Sequence, residues 1–188
     1  MTDSKLDVLA ISGSLRRGSF NTALLRAAQE EAPSDVAIEI YDHSDIPLYN
    51  GDVEAAGIPA AVQRLKDRIL AADAILLTVP EYNYSFSGVL KNVIDWASRP
   101  YGKSVWIGKP ASMVSTGGGL GGARAQYHLR QVLMSQGMHV VGAPEVFVTN
   151  AATKFDSDGR LTDDVARGLI KQQVVALSAL ARRLAAPV

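Results

Sequence analysis

The stretch ISGSLRRGSFNTALL, residues 11–25, is rich in groups that could bind an anion. Hydroxyl, amide and guanidinium donors lie together between two apolar runs. If the second run is a helix, its first turn adds unpaired backbone N–H groups and the positive end of the helix dipole. Glycines in the bend let the backbone curl closely around a ligand. The stretch therefore predicts a binding site for one phosphate group.

Two familiar phosphate motifs do not fit this bend. It has the GxxxxG spacing of a P-loop, but Ser19 and Phe20 stand where lysine and serine or threonine are needed, so a nucleoside triphosphatase is not expected. The GxGxxG pattern of dinucleotide sites also fails, because Leu15 replaces its second glycine. A terminal phosphate fits better than a pyrophosphate. The alternative is a simple helix cap at Ser19 or Asn21 with both arginines in solvent.

Two later segments could bind a flat ring. PEYNYSFSG, residues 80–88, offers flat apolar side chains together with Glu81 and Asn83, which could hydrogen-bond a ring edge. STGGGLGGAR, residues 115–124, has five glycines in six positions, where bare backbone permits close approach. An aromatic subunit contact and a mobile loop are the respective alternatives. One phosphate loop with two ring loops fits a mononucleotide with a large planar base, and FMN meets that description.

These segments must be positioned by strands and helices, which alternate along the chain. Apolar runs predict strands at 6–11, 36–41, 74–79 and 111–116, and an interrupted strand at 140–148. Helical spacing predicts helices at 21–31, 59–69, 89–97, 123–136 and 163–184. Residues 42–59 are long enough for a binding or lid loop.

This alternation predicts an α/β fold, a flavodoxin-like three-layer sandwich. Its parallel sheet would have five strands in the order 2-1-3-4-5, with helices on both faces. A six-stranded dinucleotide-binding fold is the competing topology. In either fold ligands bind beyond the carboxyl ends of the strands, and all three candidate segments follow strands.

Composition narrows the classes of protein. The 188 residues, 47% of them hydrophobic, suit one domain spanning residues 1–188. A formal net charge of zero does not favour nucleic acid or anionic membranes as partners. The absence of cysteine excludes disulfides, thiolate metal sites and cysteine nucleophiles. The N-terminal residues show no signal peptide, and no apolar stretch reaches the about 18 residues of a spanning helix, so we expect a cytoplasmic protein.

Three motifs occur in order: GSLRRGSFN, PEYNYS with LKNVIDW, and STGGGLGGARAQYHLR. Together they resemble the NADPH-dependent FMN reductase family, and are most like its chromate and quinone reductases. The likeness covers nearly the whole chain and weakens after Thr149. The resemblance implies a flavodoxin-like fold, bound FMN, and reduction of quinones, chromate, azo compounds or free flavin by NADH or NADPH.

The resemblance assigns the family's binding positions to the residues of this sequence that match each motif. By this resemblance the FMN phosphate would be held by Ser14, Arg16, Ser19, Phe20 and Asn21. The isoalloxazine ring would be flanked by Pro80, Glu81, Tyr82 and Asn83, and on its other side by Ser115 and Gly117. One departure from the pattern matters: similar sequences usually have proline before the glycine of the second motif, and here Ser87 precedes Gly88.

Flavin chemistry needs no catalytic side chain, because the ring nitrogen N5 accepts a hydride directly. We therefore expect no catalytic residue and no metal, with NAD(P)H and the electron acceptor using the same face of the ring in turn, a ping-pong cycle. The three histidines are scattered and expected to be structural. A flavin-binding electron carrier, a flavin-sensing module and a ligand-free scaffold are the alternatives. A homodimer or homotetramer is expected from the resemblance, with Arg124, Tyr127 and Glu145 as candidate contacts between dimers.

Overall fold

A computed structural model describes residues 5–186 of the chain. Its strands are β1 (Leu6–Ser12), β2 (Val36–Ile40), β3 (Ala74–Thr78), β4 (Glu81–Tyr82), β5 (Ser85–Phe86), β6 (Pro110–Thr116), β7 (His139–Val140) and β8 (Val146–Val148). Its α-helices are α1 (Phe20–Glu31), α2 (Gly51–Ala56), α3 (Ala60–Ala71), α4 (Gly88–Ala97), α5 (Ala123–Ser135) and α6 (Asp164–Ala185). A 3₁₀ turn, Ala151–Thr153, follows β8. Within these residues, no helix combines the length and apolar character needed to cross a membrane.

The main sheet has the order β2-β1-β3-β6-β7, and β8 also pairs with β6. Its strand pairs are parallel. This order confirms the predicted flavodoxin-like arrangement 2-1-3-4-5. The predicted fifth strand consists of two short pieces, because β7 pairs with the start of β6 and β8 with its end. Pro144 lies between the two pieces and has no N–H to donate to a ladder, which agrees with the interruption.

Helices pack on both faces of this sheet. Along β3, Ile75 and Leu77 pack into a core with α3, α4 and α5, whereas Ala74 and Leu76 pack into a second core with α1 and α6. Successive side chains of a strand point to opposite faces, so both faces of β3 are buried. This double burial is the reason that the strand is apolar throughout rather than alternating.

Residues 42–59, which were predicted to form a loop before α3, are partly helical and are held in place by hydrogen bonds. Asn50 caps the six-residue helix α2 by accepting a hydrogen bond from Asp52 N–H at 2.9 Å. Earlier in the segment, the Pro47 carbonyl accepts hydrogen bonds from Trp96 Nε1 at 2.7 Å and from Asn92 Nδ2 at 2.9 Å. The segment therefore lies against α4, and the prediction of an irregular loop was wrong for residues 51–56.

Candidate functional site

A cleft of about 300 Å³ lies at the carboxyl ends of β3 and β6. Parallel strands end at the same edge of the sheet, so the loops that follow them meet there. The cleft is lined by residues from all three candidate segments: Asn21, Pro80, Glu81, Tyr82, Thr116, Gly117, Gly118, Gly119, Leu120, Gly121, Gly122 and Arg124.

The first segment forms a turn that ends in a helix cap. Ser19 N–H donates to the Arg16 carbonyl at 3.0 Å, and the Ser19 side chain accepts from Thr22 N–H at 3.4 Å, so Ser19 is the N-cap of α1. The cap satisfies only one backbone donor. Among the described residues no acceptor binds the backbone N–H groups of Leu15, Arg17, Gly18, Phe20 or Asn21. The turn therefore has five backbone donors without a partner in the described residues, next to the positive end of α1.

The two arginines of this turn have no acidic partner among the described residues. No carboxylate within residues 5–186 forms an ion pair with Arg16 or Arg17. The Arg16 guanidinium lies 5.9 Å from the centre of the Phe20 ring, which stacks on Phe155 at 4.6 Å. Ser14 Oγ accepts from Arg16 N–H at 3.2 Å and keeps its own proton for another acceptor. Sequence reasoning missed Phe155, which lies beyond the motifs and has no spacing that points to this contact.

Two predicted site residues use their side chains to hold the loops together. The buried amide of Asn21 exchanges two hydrogen bonds with the backbone of Thr116, at 3.2 and 3.3 Å. Ser115 Oγ donates to the Gly121 carbonyl at 2.6 Å and accepts from Gln126 Nε2 at 2.8 Å. These contacts fix the geometry of the cleft. A direct contact of either residue with a ligand stays a prediction.

The glycines of the third segment fall into two groups. Gly121 and Gly122 have φ of +58° and +88°, and a Cβ atom on Gly122 would lie 2.8 Å from Ser115 Cβ. These positions need glycine for backbone conformation and close packing. By contrast, no protein atom among the described residues lies within 4 Å of a Cβ atom built on Gly118 or Gly119. Both line the cleft, so bare backbone borders it at that point.

The second segment is a two-stranded hairpin rather than a plain turn. β4 pairs antiparallel with β5, and the two residues between them, Asn83 and Tyr84, have φ of +50° and +68°. A two-residue hairpin turn of this kind requires positive φ at both positions, which asparagine tolerates and tyrosine rarely adopts. Asn83 lies at the tip of the hairpin and is not part of the cleft lining, unlike Pro80, Glu81 and Tyr82.

Arg124 braces this hairpin from the start of α5. Its guanidinium pairs with the Glu81 carboxylate and lies 3.7 Å from the centre of the Tyr84 ring. The hydrogen bond to Glu81 raises the pKa of Arg124 above its usual value, so the arginine stays charged. The other carboxylate oxygen, Glu81 Oε2, is buried without a partner in the described residues. Glu81 lines the cleft, and a buried carboxylate oxygen without a hydrogen-bond partner is energetically costly.

His43 lies buried beside the first segment. It is 4% exposed and lines a smaller hollow with Ser14 and Arg16. Burial lowers the pKa of His43, and a weak contact of Nδ1 with the Tyr41 carbonyl at 3.4 Å opposes this shift only in part. The ring is therefore neutral near pH 7 and adds no charge to the turn.

The sequence profile described as NADPH-dependent FMN reductase matches residues 6–153, which contain every segment of this cleft. The chain belongs to this family. The membership confirms the predicted class of enzyme, an NAD(P)H-dependent oxidoreductase of flavin chemistry with the flavodoxin-like fold.

Individual relatives are similar over nearly their whole length. An NAD(P)H-dependent FMN reductase of Pseudomonas aeruginosa is 53% identical over 180 residues, which cover 95% of this chain and 97% of that protein. An NADPH:quinone oxidoreductase of Arabidopsis thaliana is 47% identical over 184 residues, covering 94% and 92%. Among solved structures, the flavoenzyme NAD(P)H:(acceptor) oxidoreductase FerB of Paracoccus denitrificans has a TM-score of 0.85 at 37% identity, covering 94% of this chain and 97% of that one.

Proposed function

We propose that this protein is a cytoplasmic, FMN-dependent NAD(P)H:quinone oxidoreductase. Chromate, azo compounds and free flavin are further candidate acceptors. The proposal rests on one observation. At one edge of the sheet, backbone donors that could bind a phosphate lie beside a cleft that suits a flat ring. The quinone-reducing relatives support the choice of acceptor.

The first segment has the donors that a phosphate monoester needs. Its free backbone N–H groups, the Ser14 hydroxyl and the unpaired Arg16 guanidinium would bind the phosphate oxygens. A formally neutral chain offers no general excess of positive charge, so attraction for the phosphate must be local to this turn. The role of these residues in holding FMN is our proposal.

The cleft has the groups that an isoalloxazine ring needs. Glu81 lines the cleft, and its carboxylate would accept a hydrogen bond from the ring imide N–H. Gly118 and Gly119 would let the ring lie against bare backbone. Tyr82, 58% exposed, would contact the ring or a second aromatic ligand at the rim.

FMN in this position would supply hydride acceptance and release at its ring, chemistry that the side chains of the cleft do not need to provide. The residues of the chain would bind and orient the cofactor and leave one approach open. We propose that NAD(P)H and the acceptor use this approach in turn, in a ping-pong cycle.

A homodimer or homotetramer is part of the proposal. The contacts expected between dimers have partners within the chain: Arg124 pairs with Glu81, and Tyr127 Oη donates to Glu145 Oε2 at 3.0 Å. Tyr127 is still 52% exposed, so it can contact a second copy. Light scattering on the purified protein would measure the assembly directly.

The proposal is tested in two steps on the full chain. Titration with FMN should quench flavin fluorescence to a stoichiometric end point. The loaded protein should then oxidise NADPH or NADH when a benzoquinone is present and slow down when it is omitted. Failure to bind FMN would overturn the proposal, whereas binding without turnover would favour a flavin-sensing module.

A further inference from the structure

Ser87 connects the ring-binding segment to the phosphate-binding segment. It lies just before α4 and is 5% exposed. Its Oγ accepts from Leu90 N–H at 3.2 Å, which makes it the N-cap of α4. The same hydroxyl donates to the Gly13 carbonyl at 2.6 Å, a contact between residues 74 positions apart. One hydroxyl group therefore caps a helix and holds the first residue of the turn that follows β1.

Other atoms of Gly13 are also held by contacts with neighbouring residues. Its N–H donates to the Thr78 carbonyl at 3.0 Å, at the end of β3. A Cβ atom on Gly13 would lie 2.4 Å from Pro80 Cδ, so the backbone here packs directly on the first residue of the ring-binding segment. With the carbonyl held by Ser87, the start of the turn cannot shift unless Pro80 or α4 also shifts.

We propose that Ser87 is a positioning residue that sets the separation between the phosphate turn and the ring cleft. The proposal rests on the function proposed above. FMN has two ends joined by a chain, and binding at one end assists the other only if the two half-sites lie at the matching separation. The hydrogen bond from Ser87 to the Gly13 carbonyl fixes that separation.

If Ser87 has this role, its loss should change the affinities for FMN and for riboflavin to different extents. Riboflavin has the ring and the chain but no phosphate, so it occupies only one of the two half-sites. Loss of the hydrogen bond should therefore weaken FMN binding more than riboflavin binding. A general loss of structure would weaken the binding of both ligands alike.

The test is a fluorescence titration of the full chain with FMN and with riboflavin. For Ser87→Ala we expect FMN affinity to fall about 3- to 10-fold, the scale of one neutral hydrogen bond, with a much smaller change for riboflavin. Ser87→Thr retains a hydroxyl that can donate and should restore the preference for FMN. Ser98→Ala is the matched control, because Ser98 Oγ donates to the Asp95 carbonyl at 2.7 Å near the other end of α4.

Far-UV circular dichroism establishes that each variant is folded. If Ser87→Ala does not fold, Ser87→Gly replaces it, because glycine is tolerated at an N-cap and equally lacks the donor. A folded variant without the hydroxyl that keeps the wild-type ratio of FMN to riboflavin affinity would overturn the inference and leave the proposed function standing. Wild-type protein that binds neither ligand would overturn both.

Discussion

The side-chain amide of Asn21 hydrogen-bonds both backbone groups of Thr116, 95 residues further along the chain. Asn21 Nδ2 donates to the Thr116 carbonyl at 3.2 Å, and Asn21 Oδ1 accepts from the Thr116 N–H at 3.3 Å. Asn21 is in the first turn of α1 and Thr116 ends β6, so this pair joins the turn that follows β1 to the glycine-rich segment 115–124. Asn21 is buried, with 7% of the residue exposed, so water has little access to replace its amide.

Replacing Asn21 with alanine should therefore destabilise the protein even without ligand. Removing the amide leaves two buried backbone groups of Thr116 short of partners, which should lower the free energy of unfolding by about 1–3 kcal/mol. Urea unfolding of the ligand-free protein measures this change. Gln29→Ala is the control, because Gln29 donates to the Ile38 carbonyl at an exposed site on the same helix. Equal stability of the two variants would refute the role given to Asn21.

Two substitutions in the glycine-rich segment 115–124 should have different effects, one on stability and the other on ligand binding. Gly122→Ala places a Cβ atom 2.8 Å from Ser115 Cβ at a φ of +88° and should lower the free energy of unfolding by about 1–3 kcal/mol. Gly119→Ala meets no described protein atom within 4 Å and should leave stability nearly unchanged while weakening FMN binding. Urea unfolding and FMN titration of both variants provide the comparison. A stable Gly122→Ala protein would contradict the packing described here.

Arg16 should contribute a charge-assisted contact to FMN. Arg16→Ala should weaken FMN binding by roughly 1.5 to 3 kcal/mol, the scale of a hydrogen bond to a charged group. Arg183→Ala, in α6, is the control for loss of one positive charge. Fluorescence titration at low and high salt measures both variants. Unchanged FMN affinity in Arg16→Ala would remove Arg16 from the phosphate site.

His43 should make the fold sensitive to mild acid. Burial lowers the pKa of His43 below its usual 6.5, so the unfolded chain binds a proton more readily than the folded one. This contribution to stability is complete above pH 6.5 and falls as the pH decreases from 6.5 towards the folded-state pKa. Urea unfolding at about pH 7.5 and about pH 5.5 should show a smaller loss for His43→Gln than for the wild-type chain. Identical pH dependence of the two proteins would contradict this account.

Most of the fold could be predicted from the sequence because it depends on local patterns. The unbroken apolar run 74–79 identified a strand buried on both faces, and the five-strand order followed from its alternation with helices. The hairpin of β4 and β5 was missed, since Tyr84 is a poor residue for a positive φ, and the sequence does not show that Arg124 lies against its ring. Helix α2 was missed because its six residues bury no side chain and so have no apolar stripe.

The candidate site could be predicted as three segments but not as a set of contacts. The motif positions predicted that Asn21, Glu81 and Gly117 belong to one site, and all three line the same cleft. It could not indicate that Ser115 points into the glycine loop or that Phe155 stacks on Phe20, because such contacts depend on how distant segments pack. Arg124 was expected between dimers, and its pairing with Glu81 within the chain appears only once α5 and the hairpin are placed together.

Anaerobic mixing of the FMN-loaded protein with NADPH or NADH, followed by flavin absorbance, tests the central claim most directly. An NAD(P)H-dependent oxidoreductase should lose its yellow absorbance rapidly with no other protein present, and adding a quinone should restore it. A protein that stayed yellow until a partner protein was added would be an electron carrier, and that result would contradict the account.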